Sequence, residues 1–155
     1  MKQIILFCAV SLVAGLTHAQ KLKDSEVPAA VKSAFTKLFP AAKEVKWSKE
    51  STNEFEAEFK MNKTEKSSNF DQTGKWLGSE TEIKQTELPK AVQEAIAKEF
   101  AGYKIEETEK AETPDQGTFY EMELEKGKST IEVQIAADGK VLKKEEKKEK
   151  GEKKD

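Results

Sequence analysis

The chain has 155 residues, with 27 basic and 29 acidic side chains, a formal charge of −2 and a mean hydropathy of −0.74. That permits one modest domain or two small ones, and it excludes a polytopic membrane protein. Every basic residue is a lysine. Without arginine there is no planar fork to grip phosphates bidentately, so no nucleic-acid partner is expected.

Met1 to Ala19 carries one early charge, Lys2, then the apolar run from Ile4 to Leu16, and closes on Thr17-His18-Ala19 before Gln20. This reads as a secretory signal peptide over residues 1–19, cleaved near Ala19, because the apolar run is too short for a spanning helix. The expected product is periplasmic or secreted, with no membrane span. The only cysteine, Cys8, and the only histidine, His18, lie in the leader. Its loss excludes thiol nucleophiles, disulfides, histidine triads and ordinary zinc or copper sites. No enzyme activity and no cofactor are expected.

Past the leader the chain repeats itself. Val27-Pro28-Ala29-Ala30-Val31 lies over Leu88-Pro89-Lys90-Ala91-Val92 at an offset of 61, with Phe35 over Ile96 and Phe39 over Phe100. At an offset of 65, Phe55-Glu56-Ala57-Glu58-Phe59 lies over Tyr120-Glu121-Met122-Glu123-Leu124, and Phe70, Gly74 and Leu77 over Ile135, Gly139 and Leu142. The longer loop of the second copy falls at Thr113-Pro114-Asp115-Gln116-Gly117, rich in turn residues. The expected organisation is repeat 1 over residues 25–84 and repeat 2 over 87–142.

Each repeat opens with a helix. Val31, Ala34, Phe35, Leu38 and Phe39 form one apolar stripe, closed by Pro40; Val92, Ala95, Ile96 and Phe100 form the other, with Gly102 beyond it. Period-two alternation follows: Val45 and Trp47, then Phe55, Ala57, Phe59 and Met61; in the second copy Tyr120, Met122 and Leu124, then Ile131, Val133 and Ile135. Asp71-Gln72-Thr73-Gly74 and Ala137-Asp138-Gly139 supply hairpin turns. The fold class is therefore α+β: two tandem α-β4 repeats whose antiparallel sheets carry helices on one face. Repeats of this size bury little alone, so a shared core or edge-to-edge sheets are expected. Residues 143–155, KKEEKKEKGEKKD, hold no apolar side chain and read as a charged disordered tail.

The leader, the tandem units, the Val27-Pro28, Val31, Phe35, Phe39-Pro40 helix signature and the Asp71-Gln72-Thr73-Gly74-Lys75-Trp76-Leu77 hairpin together resemble the beta-lactamase-inhibitor-like, PepSY-like family of exported bacterial proteins. The resemblance implies a curved sheet with helices on one side, similar in architecture to the beta-lactamase inhibitory protein. It implies a binding or regulatory role, inhibitor-like in kind. The inhibitor relies on disulfides and this mature chain has no cysteine, so beta-lactamase binding is not carried over.

With Phe55, Ala57 and Phe59 facing the helix, Glu56 and Glu58 should project from the open side, joined by Glu121 and Glu123. Trp76 and Phe119, each one residue before a core-pattern position, should stand beside them as aromatic anchors. These six residues are the candidate binding site for a protein or peptide partner, basic if it uses the acidic rows. If they simply project into solvent, reversing the charge of Glu56 and Glu58 should leave the melting temperature nearly unchanged. Two alternatives remain: a structural or stress-related envelope protein without a specific ligand, and a calcium-binding periplasmic protein using Asp71 and Asp138. Neither aspartate has the run of spaced oxygens that a calcium loop needs, and no metal ligands are assigned.

Overall fold

The computed structural model describes residues 20–147, and in it nine strands run in chain order across one antiparallel sheet. After β1 (Gln20–Leu22) come α1 (Ala29–Leu38), β2 (Lys43–Ser51), β3 (Glu54–Met61), β4 (Thr64–Asp71) and β5 (Trp76–Glu82). Then follow α2 (Lys90–Glu99), β6 (Lys104–Thr113), β7 (Gly117–Lys126), β8 (Ser129–Ala136) and β9 (Val141–Lys147). A helix and four strands thus occur twice, with β1 added at one edge. The expected signal peptide and the last eight residues of the expected tail lie outside the described residues.

Each helix is launched in the same way. Lys23 donates its backbone N–H to Glu26 Oε2 (2.7 Å) and Lys84 its own to Glu87 Oε2 (2.8 Å), fixing a short 3-10 turn before Pro28 and Pro89. The prolines sit at the helix entries, where a missing N–H costs nothing. One side of each helix then packs on the sheet. Val31 and Phe35 join Val27, Trp47, Phe55, Ala57, Phe59 and Phe70 in one buried cluster. Val92, Ala95, Ile96 and Phe100 join Leu88, Met122, Leu124, Ile131, Val133 and Ile135 in another.

The two clusters are separate, and the halves meet through the sheet. β5 and β6 pair from Ser79↔Glu112 to Glu82↔Glu109, continuing one sheet across the seam. Of the two expected arrangements, edge-to-edge joining is the one adopted. Each half also locks its last hairpin to its own helix. Gly74 and Gly139 adopt φ of +85° and +89°, and a Cβ at either would stand 2.6 Å from the Ala30 carbonyl oxygen or 2.7 Å from that of Ala91. Glycine is required there twice over, by backbone conformation and by space.

Several expected core positions are not core. Leu38, placed in the α1 stripe, is 52% exposed at the helix end. Val45 is exposed because the β2–β3 register shifts between Lys43 and Lys46, where Glu44 takes a positive φ of 54°. Residues 143–147, read as disordered tail, form most of β9. The strand is held by backbone pairing to β8 and by contacts of two lysine tips, one on each face. Lys144 Nζ lies 6.0 Å from the Phe100 ring centroid on the helix side, and Lys147 bonds Glu123 on the other.

Candidate functional site

The face opposite the helices is set by strand alternation. Ser48, Glu56, Asn69 and Gly78 stand in one cross-strand row, with Glu58, Ser67 and Glu80 in the next. Across the seam Glu80 pairs with Ala111 and Ala111 with Phe119; Glu82 pairs with Glu109, and Glu109 with Glu121. Gln134 and Glu132 on β8 complete these rows opposite Glu121 and Glu123.

This face is concave. Glu54 on β3 and Gln134 on β8 line the same cavity, although five strand spacings, about 24 Å on a flat sheet, separate those strands. Curvature explains the burial of side chains that no other described element covers: Glu56 is 3% exposed, Glu80 6%, Glu121 7% and Asn69 2%. That cavity has about 40 Å³ and is lined by Glu80, Phe119 and Glu121 among others. A second, of about 80 Å³, lies between Lys46, Glu58, Lys60, Glu82 and Glu109.

Burial and crowding reshape the titration of these carboxyls. Desolvation, then repulsion from Glu109, Glu132 and Glu107, pushes Glu80 up to about 8. Desolvation, then the charges of Glu107, Glu82 and Glu132, pushes Glu109 up to about 7, against a lowering contribution from Lys147. Glu56 is raised by desolvation and by Glu50, with which its carboxyl shares a hydrogen bond. Glu121 is raised by desolvation and by its bond to Glu132. In both carboxyl pairs one proton is held between two acids, as like charges this close cannot both ionise. Lys147 counters part of this charge. Burial works to lower its pKa, but bonds to Glu123 and to Glu132, the latter at 3.5 Å, outweigh burial and the net shift is upward.

Of the six residues chosen from sequence, five lie on the concave face. Glu58 and Glu123 are half-buried there, while Glu56 and Glu121 are buried rather than projecting into solvent. The expectation that charge reversal at Glu56 and Glu58 would spare the fold is therefore corrected: a lysine at position 56 would be a buried charge among acceptors. Phe119 is on the expected face but only 4% exposed, at the floor of the smaller cavity.

Trp76 is on the other side. After Asn69↔Gly78 the register shifts to Phe70↔Trp76, so Leu77 is an extra residue and Trp76 packs against the aromatic core, its Nε1 donating to Ser79 Oγ at 2.8 Å. The second half repeats this device: Gln134↔Lys143 gives way to Ile135↔Val141, and Leu142 is exposed. A bulge in each half thus inverts the parity on which the Trp76 and Leu77 assignments rested.

Glu80, Glu109, Glu132, Asn69 and Lys147 were not singled out from sequence. The bulge at Leu77 hid the face of Glu80, and a lysine in an apolar-free tail gave no sign of docking. The hairpin aspartates act as turn residues: Asp71 Oδ1 accepts from the Thr73 N–H (2.8 Å), the Thr73 hydroxyl (2.6 Å) and the Lys75 N–H (3.1 Å). Asp138 Oδ1 accepts from the Lys140 N–H at 3.0 Å. Among the described residues no group of three or more metal-ligating side chains is arranged to hold an ion, and no helix is long and apolar enough to cross a membrane.

The family model described as "Putative beta-lactamase-inhibitor-like, PepSY-like" matches residues 16–67 and 53–143. The chain belongs to this family. Solved structures similar to this PepSY-like chain include a BLIP-like protein from Bacteroides fragilis, at 24% identity and a TM-score of 0.70, covering 83% of this chain and 92% of that one. A DUF2874 family protein from Bacteroides uniformis is similar at 23% identity and a TM-score of 0.71, covering 77% and 88%. A structure from Bacteroides eggerthii described as "putative periplasmic proteins" is similar at 22% identity and a TM-score of 0.72, with the same coverage. No curated protein matches the chain. At these identities the likeness carries the fold: a largely antiparallel sheet with two helices.

Proposed function

We propose that this chain is an exported, non-enzymatic binding module that presents the concave face of its sheet to a protein or peptide partner carrying basic groups. The observation that carries this reading is the row of buried carboxyls, Glu56, Glu80 and Glu121, on a face that no described element covers. Burying carboxyls without a lysine for each costs stability, and a partner that supplies the missing charge recovers it. The two halves are inferred to be tandem copies of one α-β4 unit, since the helix entries, glycine turns and bulges recur at matching positions. Export is supported by the leader pattern of residues 1–19 and by the description of the Bacteroides eggerthii relative.

A hydrolase would use the same raised carboxyls. The two cavities, about 40 and 80 Å³, are however far smaller than the roughly 300–1,000 Å³ of sites that enclose a small-molecule substrate. The test is capture of partners from periplasmic extract by the mature chain beside a Glu58→Lys/Glu123→Lys variant, both half-buried positions, with folding checked by circular dichroism. A partner held by the parent, lost from the folded variant and released by salt fits the proposal. Equal capture by both contradicts it.

A further inference from the structure

The concave face is short of hydrogen-bond donors at one place. Glu80 Oε2, on a side chain 6% exposed, accepts no hydrogen bond, and neither does Asn69 Oδ1 on a side chain 2% exposed. Glu80 pairs with Ser67, and Asn69 with Gly78, so the two lie one diagonal step apart on neighbouring strands. Unpaired buried acceptors are uncommon and costly. Beside them Glu121 shares a hydrogen bond with Glu132, itself an acid, and accepts a long 3.4 Å bond from the Gln134 amide.

The protein shows how such a site is satisfied elsewhere. In the second half Lys147 reaches from β9 to Glu123 and Glu132. The matching position of the first half, at the offset of 65, is Glu82, an acid, so the first half has no equivalent lysine. The cavity that Glu80 lines has the volume for one charged tip and is floored by the Phe119 ring. Several acceptors at different angles and a flat aromatic surface suit a planar cation with five N–H groups better than a compact ammonium. The chain has no arginine that could fill it from within.

We propose that the seam cavity lined by Glu80, Glu121 and Phe119, with Asn69 beside it, is a subsite for one arginine side chain of a protein or peptide partner. This rests on the binding-module reading and names the contact that anchors it. The guanidinium donates to Glu80 Oε2 and Asn69 Oδ1 and lies against Phe119. Its arrival favours the ionised form of Glu80, so binding releases a proton. The groups facing Glu80 are Ser67 on β4, Glu107 and Glu109 on β6, Glu121 on β7 and Glu132 on β8, with Lys147 of β9 acting on Glu109. All but Lys147 and Ser67 are acids, and of these groups only Ser67 works to lower the Glu80 pKa, so the ionised state has little local support until the cation comes.

The test is an amide-resolved NMR titration of the mature chain at low salt with an uncharged Gly/Ser nonapeptide carrying one central arginine. The same peptide with citrulline or lysine at that position is run alongside. The arginine peptide is expected to shift the amides of Glu80, Ala111, Phe119 and Glu121, the lysine peptide to bind more weakly, and the citrulline peptide not to bind. Affinity should rise by up to about tenfold per pH unit between pH 6 and 8, as one proton is released. Glu80→Gln, which copies the neutral carboxyl in shape and spares the fold, should weaken binding by about tenfold, whereas Glu94→Gln on the far side of α2 should change nothing. Equal binding by the citrulline peptide, or a Glu80→Gln variant that binds as tightly as the parent, overturns the subsite. If loss then follows Glu58→Lys/Glu123→Lys instead, the open-face reading survives without it. If no peptide binds and no partner is captured by the concave face, both fall.

Discussion

The two halves share one chain path and solve it with different side chains. In the first, Phe35 sits among rings, 5.1 Å from Phe59, 5.2 Å from Trp47, 5.5 Å from Phe39 and 6.3 Å from Phe70 between centroids. In the second, Ile96 holds the same place among Met122, Leu124, Ile131, Val133 and Ile135. What does not change is the backbone punctuation: the Glu26 and Glu87 turns, Pro28 and Pro89, Gly74 and Gly139, and the bulges at Leu77 and Leu142. Core volume can be filled from either palette, provided the turns and registers are kept. On the concave face the halves diverge in charge: Glu123 and Glu132 are bonded by Lys147, while Glu56 and Glu80 have no lysine of that kind.

That contrast can be broken first at its aromatic centre. Phe35→Ala should cost about 3–5 kcal/mol and Ile96→Ala about 2–4, the larger loss reflecting four ring partners, as measured by urea unfolding. Equal costs would show that the rings add nothing beyond volume. Next, Gly74→Ala and Gly139→Ala should each cost about 2–4 kcal/mol, since each places a Cβ against a helix carbonyl at positive φ. A tolerated Ala at only one of them would show that the hairpins are not locked alike.

A smaller effect sharpens the comparison of the concave faces. Glutamates whose folded pKa lies above the unfolded value of about 4.3 contribute stability below that value, and lose it as pH rises through the folded pKa. With Glu109 at about 7 and Glu80 at about 8, the melting temperature should be highest near pH 5 and fall by roughly 5–10 °C by pH 8. Glu56→Gln and Glu121→Gln, which keep the neutral shape, should each flatten this decline and be about 1 kcal/mol more stable than the parent at pH 8 but not at pH 5. A melting temperature that climbs from pH 5 to 8 would contradict the burial of these acids.

The fold was legible where period and punctuation agree. Val31 and Phe35, the Phe55-Ala57-Phe59 alternation, Ile131-Val133-Ile135 and the two glycine turns carry their structure in local pattern. Three features were not. A bulge adds one residue without altering composition, so Leu77 and Leu142 looked like core and Trp76 like surface. Curvature is a property of the whole sheet, so the burial of Glu56 and Glu121 could not be read from strands that alternate as if half-exposed. Lys144 and Lys147 belong to β9 because the strand pairs with β8 and their tips meet the Phe100 ring of the second half and the acids of β7 and β8, a dependence on distant residues that local sequence does not display.

The central claim is that the concave face keeps its buried glutamates Glu56, Glu80 and Glu121 neutral and sheltered until a cation reaches them. Its most direct test is the carboxyl carbon-13 NMR titration of Glu80 in the mature chain. The account predicts a Glu80 midpoint near 8, well above the ordinary carboxylate range of about 4–5. A Glu80 midpoint within that ordinary range would contradict it.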